Sequence, residues 1–160
     1  MLVARRSRHR ASSSAQRATL LSLLLALFTA TALVAAPNLE DERVAARRSA
    51  LDLAGAWAND GFLLRDGHWS GALKIGAAKV LQVNLYAGNQ YWFTLAATSP
   101  AKKVAVSVFD STGKHVATEP YEAGARAAAG FAPTLSGPYY LKIEQIEGEP
   151  SAFALVYSYK

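Results

Sequence analysis

The sequence predicts an all-β protein, an antiparallel β-sandwich preceded by a signal peptide and a short N-terminal helix. Two observations carry the β assignment. From Phe62 onward apolar residues recur with period two, and Gly, Pro, Asn and Asp clusters punctuate the alternating runs at short intervals. Strands at that spacing, with no helical segment between them, argue for a sandwich. A third observation sets the N-terminal part aside: Met1 to Ala36 carries Arg5, Arg6, Arg8, Arg10 and Arg17 and no acid.

That leader reads as an export signal. A basic stretch precedes the apolar run ATLLSLLLALFTATALVAAP, and small residues end it, so cleavage is expected after Ala32 or Ala36. The alternative is an uncleaved anchor, since the run approaches the ~20 residues that cross a bilayer. Threonines interrupt it, which favours cleavage. Arg5-Arg6 invites a twin-arginine reading, but Ser7-Arg8-His9 lacks the apolar residues expected after the pair. The absence of cysteine excludes a lipidated cysteine and any disulfide.

Charge must be read in two parts. Five of the 17 Lys and Arg residues lie in the leader, which leaves twelve against the 12 acids of the remainder. The mature chain is formally neutral, so the basic pI is no argument for nucleic acid. A membrane enters only through an unprocessed leader. Residues 37–160 are enough for a single core.

Residues 37–60 read as a helical segment. Asn38 can cap it, and Glu40, Asp41 and Glu42 stand in the first turn, where the helix dipole favours anions. Leu39, Ala46, Ala50, Leu53 and Trp57 form a narrow, alanine-rich stripe, as on a helix lying against the outside of something. The sandwich follows over residues 61–160. Leu81, Val83 and Leu85 alternate with Gln82, Asn84 and Tyr86, Tyr91, Phe93 and Leu95 with Trp92, Thr94 and Ala96, and Val104, Val106 and Val108 with Ala105, Ser107 and Phe109. Tyr139, Leu141 and Ile143, and finally Phe153, Leu155 and Tyr157, continue the series. In this register Tyr91 and Phe93 point into the core and Trp92 faces outward. A hairpin through Gly88-Asn89 would bring Tyr86 beside Trp92 across the ladder. Tyr140 also points outward.

The segments LYAGNQYWFTL, VSVFDSTGK, FAPTLSGPYYLKI and FALVYSY, in that order, resemble the bacterial pre-peptidase C-terminal domain. The resemblance spans roughly Gly61 to Lys160. It implies a jelly-roll-like sandwich and a non-catalytic role, often as an appendage of secreted enzymes, although this chain has no room for a peptidase domain. GFLLRDGHWSGAL is also similar to a segment of small exported proteins of unassigned function.

Candidate chemistry is sparse. Asp110 in FDSTGK could ligate calcium, but Asp-x-x-Gly is equally what a tight turn needs, with Gly113 supplying positive φ. Asp60, Asp66 and His68 offer too few strong ligands for zinc. Ser136 stands in Leu-Ser-Gly-Pro and not in a nucleophile elbow. Glu144, Glu147 and Glu149 fall on a strand and turn where solvated acids are ordinary. Tyr139, after Gly137, fits a tyrosine corner. These readings argue against an enzyme and call for no cofactor. Two function classes follow. One is an exported binding module for a glycan, cell-wall polymer or protein, using Trp92, Tyr86 and Tyr140. The other is a structural or assembly component of the cell envelope, with the N-terminal helix covering the outer aromatic face.

Overall fold

The computed structural model describes residues 38–160, and the leader with its cleavage sites lies outside the described residues. Asn38 caps helix α1 (Leu39–Ala54) by accepting the Glu40 N–H at 3.2 Å, and Glu40, Asp41 and Glu42 occupy the first turn. A 3₁₀ segment, Gly55–Asp60, extends α1 and stops at Gly61, whose φ of 86° turns the chain towards the first strand.

Nine strands follow: β1 (Leu63–Leu64), β2 (Trp69–Leu73), β3 (Lys79–Leu85), β4 (Tyr91–Ala97), β5 (Ala101–Phe109), β6 (Glu119–Ala123), β7 (Arg126–Phe131), β8 (Gly137–Gly148) and β9 (Ser151–Tyr159). Six build one sheet in the order β1-β9-β4-β7-β6, with β2 pairing β9 beside β1. The order β3-β8-β5 makes the second sheet, and every pairing between these nine strands is antiparallel. The core lies between the sheets. Phe93, Leu95, Phe153 and Leu155 from the larger sheet meet Leu85, Val104, Leu141 and Ile143 from the smaller, all at most 2% exposed. Each of these residues sits two positions from another along its strand or faces one across the sandwich, as the alternation of side chains along a strand requires.

The Gly88-Asn89 segment is not a hairpin. β3 pairs with β8 and β4 pairs with β7 and β9, so residues 86–90 carry the chain from one sheet to the other. The alternation marks both strands but does not say which strand each one pairs with. Tyr91 ties this corner: its hydroxyl accepts the Tyr86 N–H at 3.0 Å and the Asn89 side-chain amide at 3.1 Å.

α1 lies on the outer face of the larger sheet. Ala46, Ala50 and Ala54 pack on Ala96, Ala154 and Val156, with Leu51 at the margin. Methyl-sized side chains on both surfaces let the helix backbone come close to the strands. The stripe differs from the expected one at its start, because Leu39 is 46% exposed and burial begins at Ala46. β7 is the strand least visible to pattern reading. RAAAG has weak β-propensity, and it holds an interior place because Ala127 and Ala129 fill the core while Ala128 and Gly130 lie beneath larger aromatics on the outer face.

Candidate functional site

The sandwich end where β3, β5, β7 and β9 finish and β4 and β8 begin gathers most of the outward aromatics. Trp92 projects from the outer face of β4, as its register requires, but it is only 8% exposed. Trp57, carried by the 3₁₀ segment, stacks on it with ring centroids 4.3 Å apart and planes 18° from parallel. Such an offset pair adds roughly 0.5–1.5 kcal/mol beyond the burial of its area. Phe62 and Ala128 complete the cluster, and Tyr121 on β6 meets Trp57 edge-on at 6.2 Å. Gly130 makes the arrangement possible: a Cβ there would stand 2.9 Å from Cζ2 of Trp92.

The Trp57–Trp92 pair walls a groove of about 330 Å³ with Asp60, Phe62, Gln90, Glu119 and Lys160. Its floor is pinned by the backbones of Gln90 and Lys160, which exchange hydrogen bonds of 2.8 and 3.0 Å. The Lys160 ammonium lies 4.4 Å above the Phe62 ring and donates to the Asp60 carbonyl at 3.1 Å. The groove therefore combines a half-buried indole with exposed carboxylate, amide and ammonium groups.

The expected trio does not assemble. Tyr86 is 60% exposed on the corner between sheets, and Tyr140 lies half-buried on the outer face of the smaller sheet, paired with Gln82 and Phe109. Trp92 belongs to the opposite outer face. The hairpin that would have joined Tyr86 to Trp92 is replaced by the crossing between sheets. Tyr91 and Phe93 face the core, 4% and 0% exposed. Tyr139 buries its ring there while its hydroxyl donates to the Leu135 carbonyl at 3.0 Å. Gly137 opens β8 opposite Leu85.

Asp110 serves a turn. Its Oδ1 accepts the Thr112 hydroxyl at 2.6 Å, the Thr112 N–H at 2.8 Å and the Lys114 N–H at 3.0 Å, and Gly113 takes φ 81°. The Thr112 hydroxyl, then the Lys114 N–H, hold its carboxyl below the usual aspartate range. Among the described residues no group of three or more His, Cys, Asp or Glu side chains is placed to hold a metal ion. The pattern reading missed Trp57, Phe62, Gln90, Glu119 and Lys160 as members of one site. They come from the 3₁₀ segment, a loop, a sheet corner, an edge strand and the last residue, and no local spacing links them.

Fold and groove together define a small antiparallel β-sandwich with an aromatic groove at one end. The structure is similar to the pre-peptidase C-terminal domain of collagenase from Bacillus anthracis, with 15% identity over 57% of this chain and 87% of that one and a TM-score of 0.46. That is the kind of domain the strand and turn motifs resemble. It is also similar to Aeromonas hydrophila PliG, a periplasmic lysozyme inhibitor of g-type lysozyme, with 18% identity over 59% of this chain and 85% of that one and a TM-score of 0.40. No protein-family model matches the chain, and no curated protein matches it.

Proposed function

We propose that this is an exported, non-catalytic β-sandwich protein that binds a glycan or cell-wall polymer at the Trp57–Trp92 groove. The observation that carries the reading is the juxtaposition of a half-buried indole with Gln90, Glu119 and Asp60 around one groove. An aromatic face covers the apolar C–H surface of a sugar ring, while amide and carboxylate groups bond its hydroxyls. Trp92 supports Trp57 from behind. The basic and apolar leader supports export, and among the described residues no helix is long and apolar enough to cross a membrane. Leu63 and Leu64, 65% and 50% exposed on β1, favour the second reading, contact with another envelope protein along that edge.

The test uses exposed polar groups, because removing Trp57 also removes a stacking partner from Trp92. Gln90→Ala combined with Glu119→Ala should melt within about a degree or two of wild type, as surface changes do. The same double variant should lose most of the retention that wild type shows on insoluble peptidoglycan or chitin in a sedimentation assay. Equal retention of variant and wild type, or none by wild type, would refute the assignment.

A further inference from the structure

The groove does not end at Trp92. A smaller hollow of about 140 Å³ shares Phe62, Gln90, Trp92 and Glu119 with it and continues to Phe131, the last residue of β7, and Ala132 after it. Phe131 and Ala132 are in turn one wall of a larger cleft, about 470 Å³, which lies between the Asp110 turn and the loop before β8. The three spaces follow one another over the end of the sandwich, each sharing lining residues with the next. Together they cross β9, β4 and β7 and then the gap between sheets, about 20 Å if neighbouring strands are ~4.8 Å and packed sheets ~10 Å apart.

The chemistry changes from one space to the next. At the Trp57 end stand Asp60, Glu119 and Lys160, charges of both signs. Around the far cleft the one carboxylate is Asp110, and its Oδ1 already takes three hydrogen bonds within its own turn. The Tyr139 hydroxyl is likewise engaged, on Leu135. What the far cleft offers is the exposed hydroxyls of Ser111 and Thr134 and the apolar side chain of Leu135, 74% exposed. A polyanion would find no cation there and a polycation only Asp110, whereas an uncharged, hydroxyl-bearing chain finds hydroxyl, amide or carboxylate partners in each cleft.

We infer that the two clefts are subsites of one extended site that takes a neutral polysaccharide chain of several sugar units across the sandwich end. This rests on the glycan reading of the Trp57–Trp92 groove and adds the length of the ligand and a second contact region. Isothermal titration of the protein with chitin-derived oligosaccharides, from disaccharide to hexasaccharide, tests it. Affinity should rise about tenfold or more with length, since a second linked contact of ~1.4 kcal/mol corresponds to that factor. Ser111→Ala with Thr134→Ala should bind the disaccharide like wild type and lose the rise. Wild-type affinity that is the same at every length overturns the extended site and leaves the first groove standing. An unaltered rise in the Ser111, Thr134 variant also overturns it. Absence of binding at any length overturns both readings, as does binding of a casein-derived peptide mixture in place of the sugars.

Discussion

Gly130 shows how one side chain, or its absence, sets the groove. Trp92 lies across β7 at a position where any other residue would put a Cβ against its ring, and Trp57 closes it from the other side. Neither neighbour leaves the ring room to retreat. Gly130→Ala should therefore cost about 1–3 kcal/mol, the range for overpacking a filled site. It should also weaken the near-ultraviolet circular dichroism band of the stacked tryptophans. A variant with unchanged melting temperature and an unchanged band would mean that the Trp57–Trp92 stack is looser in solution than the 4.3 Å spacing states.

α1 and the 3₁₀ segment act as a cover whose attachment is built from small contacts. Ala50 is fully buried, yet each methyl in this interface contributes only on the order of 1 kcal/mol. Beneath the cover, Thr94 Oγ1 and Ser158 Oγ are buried without a hydrogen-bond partner, which lowers the net gain from covering this face. Ala50→Asp should release α1, because an unpaired buried carboxylate costs on the order of several kcal/mol. Hydrogen exchange checks this: the α1 amides should lose protection while the central β4 and β9 amides keep theirs. Unchanged protection of α1 would show that the helix can shift to bring the carboxylate to solvent. Since Trp57 follows α1 directly, this variant should also lose retention on peptidoglycan.

For the molecule as a whole, export is the prediction that the leader makes. Mass spectrometry of the protein from its native host should find an N-terminus between Leu33 and Pro37 in an extracytoplasmic fraction. Intact Met1 protein in the membrane fraction would support the anchor reading instead. A start just before Asn38 leaves α1 whole, and with it the cap, the cover and Trp57.

Strand alternation in Leu81–Leu85, Tyr91–Leu95, Tyr139–Ile143 and Phe153–Tyr157 already placed the core faces, because burial of one face of a strand enforces period two locally. Asn38 and the acids after it likewise announced the start of α1, since capping needs only neighbours in sequence. β6 and β7 were not legible: Glu119–Ala123 is exposed along its whole length, and RAAAG takes its strand form from the aromatics above it and the core below. The pairing of β3 with β8 was also out of reach, because alternation shows which way side chains face and not which strand lies alongside. The groove depended most on tertiary structure. Trp57 and Trp92 are distant in the chain, and only the path of α1 across the larger sheet brings one indole onto the other.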